Sequence, residues 1–345
     1  MSRLVKQAFK SVLPLTAALL FTQAAWSFQA GWRQITIPGP SPQAPTTEVA
    51  LYYPTQAQAR ATPMGPFTPQ VTINGTPEAT VKGLILLSHG TGGSELGHSR
   101  LAEGLAEHGY LVAALRHPRD NWQDQSLVSD GAAAYFHERP RQVSWVIDAL
   151  LRDAQWKDRI AADARGPKVG AVGHSAGGYT VLALAGGQPD VSRVTRHCLL
   201  HQADDAMFCN TGRAGTAPAV ASTSPQSDAP LTDPRVRAVV ALAPVGAVFS
   251  AQSLAAIRIP VAIYAADKDR WLVPRFHADW LAQNLPAAQM NRVPNAWHFA
   301  FMDAPGMAIA SPDGDIRDDP PGFDRAEFLQ RLAKDLPAFF DRAFE

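Results

Sequence analysis

A serine lies at the centre of a Gly-His-Ser-Ala-Gly segment at residues 173–177, where its hydroxyl can be made to react. The apolar run Lys-Val-Gly-Ala-Val before it suits a buried strand, and residues 178–184 after it can form a helix. A G-x-S-x-G segment between a strand and a helix is typical of a nucleophile elbow, a sharp turn that exposes the serine. Gly173 and Gly177 suit that crowded turn because they lack a Cβ atom. We therefore predict that Ser175 is a nucleophile.

A serine hydroxyl needs a base that takes its proton and a carboxylate that orients the base. In the elbow arrangement these partners follow in the order serine, acid, histidine, each after a later strand. His298 follows a predicted strand at 290–293 and is the predicted base. The acid comes from the Ala-Asp-Lys-Asp segment after the predicted strand 259–265. Asp269 is favoured because it precedes the segment that begins the next helix, and Asp267 is the alternative.

Acyl transfer also needs backbone N–H groups that hold the developing oxyanion. The N–H of Ala176, directly after the nucleophile, is one predicted donor. The N–H of Thr91 is the second, within the glycine-rich segment Ser-His-Gly-Thr-Gly-Gly at residues 88–93. Neither G-x-x-x-x-G-K-[ST] nor G-x-G-x-x-G occurs, so a phosphate cradle is disfavoured.

An alternation of apolar runs and helical patterns predicts one α/β domain over residues 28–345, with a mostly parallel central sheet flanked by helices. Residues 56–79 are rich in Pro, Thr and Gln and are predicted to be irregular. Residues 186–234 form an insertion directly after the nucleophile helix, and residues 214–230 within it are predicted to be a loop. The other predicted strands are 32–37, 48–53, 83–88, 110–115 and 236–242, and the other predicted helices are 99–108, 138–156, 274–285 and 325–344.

Residues 1–27 predict an export signal. The positive residues Arg3, Lys6 and Lys10 precede an apolar stretch at 11–25, and small residues permit cleavage after Ser27. The apolar stretch is shorter than the roughly 20 residues that a bilayer-spanning helix needs. We expect an exported protein, periplasmic or secreted, without a transmembrane segment after removal of the signal.

The two cysteines, Cys198 and Cys209, both lie in the insertion. An exported chain matures in an oxidising compartment, so we expect them to form a disulfide. A catalytic or metal-binding pair is the alternative, but no nearby ligands complete a zinc pattern, and no metal is predicted.

The charges exclude one class of partner. The 345 residues include 31 Lys and Arg and 31 Asp and Glu, so no net field favours nucleic acid. The expected partner is a small-molecule or lipid ester, and the expected state is a monomer.

Several segments together resemble the predicted dienelactone-hydrolase-like branch of the α/β-hydrolases, which is similar to the platelet-activating-factor acetylhydrolases. They are Leu-Leu-Ser-His-Gly-Thr-Gly-Gly, His-Gly-Tyr-Leu-Val-Ala-Ala, Gly-His-Ser-Ala-Gly-Gly, Asp-Lys-Asp and Trp-His-Phe. The resemblance implies an α/β-hydrolase fold with Ser175 as nucleophile, His298 as base and an Asp of the 267–269 turn as acid. It also implies Thr91 and Ala176 as oxyanion donors. Dienelactone hydrolases proper use a cysteine nucleophile, so a serine favours ordinary carboxylic esters.

These expectations define an exported serine hydrolase that cleaves carboxylic esters through an acyl-enzyme and needs no cofactor. An acyltransferase, lipid acetylhydrolase, polyester depolymerase or peptidase would use the same triad. A non-catalytic binding protein on a hydrolase fold is a remote alternative, because serine, histidine and strand-end acid are all present.

Overall fold

The computed structural model describes residues 28–210, 230–312 and 314–345. The predicted signal at 1–27 and residues 214–229 of the predicted loop lie outside the described residues. No helix in the described ranges is both long and apolar enough to cross a membrane.

Strands and helices alternate along most of the described chain. The strands are β1 Gln29–Ile37, β2 Thr47–Thr55, β3 Arg60–Ala61, β4 Gln70–Ile73, β5 Leu84–Ser88, β6 Leu111–Arg116, β7 Ala162–Asp163, β8 Gly166–Pro167, β9 Val169–His174, β10 Val236–Leu242, β11 Val261–Ala266, β12 Gln289–Val293, β13 Ala310–Ser311 and β14 Gly314–Asp315. The α-helices are α1 Ser99–Glu107, α2 Ser126–Ser129, α3 Ala132–Arg152, α4 Ala176–Leu184, α5 Val191–His201, α6 Ala206–Cys209, α7 Ala251–Leu254, α8 Ala278–Asn284 and α9 Arg325–Ala343. Short 3₁₀ helices span Pro274–Phe276 and His298–Phe301.

Ten of the described strands form one sheet, in the order β12-β11-β10-β9-β5-β6-β2-β1-β4-β3. The six strands from β12 to β6 pair in parallel, whereas β2 pairs antiparallel with both β6 and β1. Parallel pairing brings the carboxyl ends of the strands to one edge of the sheet. The segments that follow β5, β9, β11 and β12 at this edge carry Thr91, Ser175, Asp269 and His298.

Helices cover both faces of the parallel strands. Every residue of β5, β9, β10 and β11 is buried, as expected for strands covered on both sides. Within β5, Leu84 and Leu86 join the core formed with α3, α4 and α8, while Ile85 and Leu87 join the core formed with α1 and α9. This alternation follows from the two-residue period of a strand.

Two predicted helices have different bounds in the structure. The helix predicted at 138–156 spans Ala132–Arg152 and contains Pro140, which removes one backbone hydrogen bond without ending the helix. The helix predicted at 274–285 is divided at His277, where the backbone leaves helical geometry with φ −119° and ψ −88°. The His277 side chain is held there by hydrogen bonds to Gly246 and Asp205.

Two segments contain regular elements that the sequence did not predict. The segment predicted to be irregular at 56–79 includes β3 and β4, because β4 pairs with Gly31 and Trp32 of β1. The insertion includes helices α5 and α6. A disulfide between Cys198 of α5 and Cys209 of α6 joins them, which confirms the predicted bond.

Reduction of this disulfide should lower thermal stability, because it releases a constraint on the unfolded chain. A loop of this size predicts a loss of about 2–3 kcal/mol of unfolding free energy. The measurement is the melting temperature with and without reductant. The Cys198→Ser/Cys209→Ser double variant is the control, because its melting temperature should not respond to reductant. A wild-type melting temperature that is equally insensitive would contradict the prediction.

Candidate active site

Ser175 occupies a strained turn between β9 and α4. Its backbone has φ 58° and ψ −115°, a left-handed conformation that non-glycine residues adopt rarely. A Cβ on Gly173 would collide with the backbone of Gly177, and one on Gly177 would collide with the backbone of Ser88. The Ser175 N–H donates to the Leu242 carbonyl at 2.9 Å, which ties the turn to the end of β10. The glycines at both ends of the segment are therefore required by close backbone approach.

His298 and Asp269 are brought together. The Nδ1 of His298 lies 2.7 Å from Oδ2 of Asp269, and both side chains are buried. The other oxygen of Asp269 accepts the N–H groups of Trp271 and Leu272, each at 2.8 Å. Asp267 instead lies beside Arg292, with 3.4 Å between Oδ1 and Nη1. The structure thus places Asp269 against the imidazole and leaves Asp267 at the protein surface.

His174 connects the imidazole to the elbow. Its Nε2 donates to the backbone carbonyl of His298 at 2.9 Å, and the two ring centroids are 4.9 Å apart. Burial, followed by the neighbouring His298, lowers the pKa of His174 well below its usual value, so this ring stays neutral.

Ser175 Oγ forms no hydrogen bond with a described residue. Catalytic hydrogen bonds of this kind are often long or poorly aligned before substrate binds.

The glycine-rich segment after β5 lies against the nucleophile. A Cβ on Gly90 would be 3.1 Å from the Cβ of Ser175, so this backbone approaches the serine closely. Thr91 Oγ1 is 2.6 Å from the hydroxyl of Tyr135. In the part of the chain that the structure describes, the backbone N–H groups of Thr91 and Ala176 have no hydrogen-bond acceptor. They are available as donors to an oxyanion.

A buried ion pair that the sequence analysis missed holds this segment. Arg139 of α3 pairs with Asp120, and both side chains are fully buried. Arg139 also donates to the His89 carbonyl, while Asp120 accepts the Gly92 N–H at 3.0 Å. The pair therefore fixes the backbone on both sides of Thr91. One signal was present in the sequence, because Arg139 lies on the apolar face of its helix, four residues before the buried Val143.

A second histidine–aspartate cluster lies in and beside the insertion. His197 Nε2 and His277 Nε2 both approach Oδ2 of Asp205, at 2.8 and 2.9 Å. The Gly246 N–H donates to Nδ1 of His277 at 3.1 Å, so the proton of this ring is on Nε2 and points to Asp205. A metal at Nε2 would force that proton onto Nδ1, against the Gly246 donor. The geometry therefore favours a hydrogen-bonded cluster over a metal site.

Asp205 stays ionised at the centre of this cluster. Burial alone would raise the pKa of its carboxyl, but the hydrogen bonds from His197 and His277 outweigh burial and hold the pKa below the usual range. The other oxygen of Asp205 accepts the Val273 N–H at 3.4 Å. Asp205 thereby connects the insertion to the segment that follows Asp269.

No model of a known protein family matches the sequence, and no curated protein matches it. Among solved structures, the chain is similar to a ferulic acid esterase from Streptomyces cinnamoneus, with 18% identity, a TM-score of 0.56 and coverage of 92% of this chain and 91% of that one. It is also similar to a dienelactone hydrolase from Anabaena variabilis, with 14% identity, a TM-score of 0.48 and coverage of 91% and 98%. The protein has an α/β-hydrolase fold, as its sequence predicted.

The variant Arg139→Met should destabilise the protein by about 3–5 kcal/mol, because it leaves the buried Asp120 carboxylate without its partner. Chemical denaturation measures this loss. Arg152→Met is the matched control, since Arg152 lies on the same helix with its side chain 77% exposed. Equal stabilities of the two variants would show that the buried pair does not hold the fold.

Proposed function

We propose that the protein is an exported serine esterase that hydrolyses carboxylic esters through an acyl-enzyme. The observation that carries the proposal is the buried Asp269–His298 hydrogen bond, next to a serine in the left-handed turn of a nucleophile elbow. Export is supported by the disulfide, which oxidising compartments favour. The fold alone does not fix the activity, so the proposal rests on the site.

The hydrogen bond to Asp269 prepares His298 as a base. An ionised carboxylate only accepts hydrogen bonds, so Nδ1 of His298 carries the proton of the neutral ring. Nε2 then has a free lone pair for the proton of Ser175. Asp269 also stabilises the imidazolium that forms during attack.

The reaction proceeds in two halves. Ser175 Oγ attacks the ester carbonyl while its proton moves to Nε2 of His298, and the carbonyl oxygen becomes an oxyanion. Collapse of this intermediate breaks the ester bond, and the leaving alcohol takes the proton from His298. Water then attacks the acyl-enzyme, giving its proton to His298. The second collapse returns that proton to Ser175 Oγ and releases the acid.

The N–H groups of Thr91 and Ala176 stabilise both oxyanions. Removal of one such donor costs about 2.7–4 kcal/mol of transition-state stabilisation in acyl-transfer enzymes. The Arg139–Asp120 pair acts through the backbone, since it holds the segment that presents the Thr91 donor. His174 acts on the other side of the site by holding the backbone of His298.

The alternatives on the same triad differ in the acyl acceptor or in the substrate. An acyltransferase would deliver the acyl group to an alcohol or amine rather than to water, whereas a lipid acetylhydrolase, polyester depolymerase or peptidase would differ in pocket shape. A similar solved structure is a ferulic acid esterase, and this supports ester hydrolysis as the reaction to test first.

Treatment with an aryl organophosphonate should label Ser175 alone, because only an activated serine attacks phosphorus at neutral pH. Peptide mass spectrometry measures the position of the label. Ser175→Ala should take up no label and lose turnover of p-nitrophenyl esters while keeping the wild-type melting temperature. A label on another serine, or full activity of Ser175→Ala, would refute the proposed nucleophile.

Asp269→Asn should lower kcat by about 10³–10⁴-fold, because an amide no longer fixes the tautomer of His298 or stabilises its charged form. Asp267→Asn is the matched control, two residues away in the same turn. We expect it to change kcat by less than about threefold, since surface substitutions have small effects. Initial rates on one p-nitrophenyl ester measure both. The opposite ranking of the two variants would assign the acid to Asp267.

A further inference from the structure

Two adjoining cavities lie beside helix α5, at the edge of the sheet where the parallel strands end. Their volumes are about 110 and 170 Å³. Arg193 and His197 line both cavities. The first is also lined by Ala247, Arg275, Phe276 and Trp280, and the second by Arg196, Leu200 and His201.

The charged groups that line these cavities are positive. Three guanidinium groups, those of Arg193, Arg196 and Arg275, face them, and no carboxylate is among the described lining residues. A site with this charge favours an anion. Guanidinium groups bind carboxylates and phosphates through paired N–H donors.

Arg193 is the arginine best placed to bind a ligand. Its guanidinium lies over the Trp280 ring, 4.9 Å from the ring centroid. Its Nε is buried and has no hydrogen-bond partner. Stacking occupies the face of the guanidinium and leaves its N–H groups free to form hydrogen bonds. A buried donor without an acceptor costs free energy, so a ligand acceptor there would be stabilising.

The nearby carboxylates have other partners. Asp205 accepts from His197 and His277, and Asp204 pairs with Arg275 at 3.0 Å. Asp190 attracts Arg193, but it accepts hydrogen bonds from the N–H and hydroxyl of Ser192. Arg193 forms no ion pair within 4.0 Å among the described residues. Its positive charge is therefore available to a bound anion.

The walls of the first cavity are largely apolar and aromatic. The rings of His197 and Phe276 meet edge to face, with centroids 4.8 Å apart, and Trp280 forms the adjacent wall. A cavity of about 150 Å³ is known to hold benzene. The two neighbouring volumes thus suit a carboxylate carried on one ring or on a short chain.

We propose that these cavities bind a carboxylate attached to an aromatic ring or a short aliphatic chain. Arg193 donates to the carboxylate, and Phe276 and Trp280 contact the apolar body. This binding site does not depend on the catalytic proposal, because none of its residues belongs to the triad or to the oxyanion donors.

The carboxylate can belong to the ester substrate or to a separate ligand. The Val245 N–H donates to the Ser175 carbonyl at 3.1 Å, and Ala247, two residues later, lines the cavity. Two residues of chain span at most about 7 Å. The backbone that lines the first cavity therefore lies close to the backbone of the elbow.

Isothermal titration calorimetry with benzoate and benzamide tests the site, because the two probes differ in charge and hardly in shape. At low salt, benzoate should bind at least about tenfold more tightly than benzamide, as expected for a hydrogen-bonded charge pair. Arg193→Met should abolish this preference. The control Arg331→Met, in a residue that is 60% exposed on α9, should keep it. Equal binding of the two probes, or an unchanged preference in Arg193→Met, would overturn the proposal.

Two further variants test the site even if Arg193→Met fails to fold. Arg193→Lys should weaken the preference without abolishing it, because lysine keeps the charge but loses the paired donors. Arg275→Gln should also weaken it. Melting temperatures show whether each variant folds, and an unchanged preference in both folded variants would contradict the assigned site.

Hydrolysis rates then identify the source of the carboxylate. If it belongs to the substrate, kcat/KM for monomethyl terephthalate should exceed that for dimethyl terephthalate, and Arg193→Met should remove the difference. If it belongs to a separate ligand, the two esters should react alike while benzoate still binds. Either result supports the binding site. Failure of the catalytic proposal would look different, because neither ester would react while benzoate would still bind.

Discussion

The left-handed backbone of Ser175 is the constraint on which the site depends. A residue with φ 58° needs support on all sides, and the structure supplies it through strand β10 and the glycine-rich segment after β5. The Gly173 and Gly177 positions tolerate no side chain, because neighbouring backbone occupies the space. The strained turn thus requires that the end of β10 and the glycine-rich segment after β5 both lie against the end of β9. Parallel pairing of these strands is what brings those stretches together.

Buried polar groups hold two segments of the site that lie beyond the strand ends, the glycine-rich segment and the backbone of His298. Arg139 and Asp120 form an ion pair that is inaccessible to solvent. The two side chains also form hydrogen bonds with the backbone on both sides of Thr91. A buried pair of this kind adds little stability compared with apolar packing, but it is strongly destabilising when one partner is lost. Its hydrogen bonds hold the backbone of His89 and Gly92, on either side of Thr91. His174 does the same for the backbone of His298 with a neutral ring.

The insertion also helps to position the segment that follows Asp269. Its disulfide joins α5 to α6, and Asp205 binds both His277 and the backbone of Val273. The segment from Asp269 to His277 is thus held at one end by His298 and at the other by the insertion. The cavities around Arg193 lie at this junction. Arginine and aromatic side chains line these cavities.

Local pattern was enough for the strands of the parallel sheet and for the candidate nucleophile and base. Continuous apolar runs predicted β5, β9 and β10, because strands covered on both faces contain few polar residues. The glycine spacing around Ser175 and the late strand before His298 are also local signals, and both assignments stay predictions until labelling and kinetics test them. The sequence alone did not predict β3, β4, α5 or α6, since their short or polar stretches form only against neighbouring segments.

Contacts between distant residues decided the rest. Asp267 and Asp269 lie two residues apart in one turn, and the sequence favoured Asp269 only by its position before the next helix. The packed structure directs the Asp269 carboxylate to His298 and places Asp267 beside Arg292. The Arg139–Asp120 pair and the unpartnered Arg193 Nε likewise depend on which groups lose access to water. A hydrogen bond in a protein interior is specified by three-dimensional position and burial, which a linear pattern of residue types does not encode.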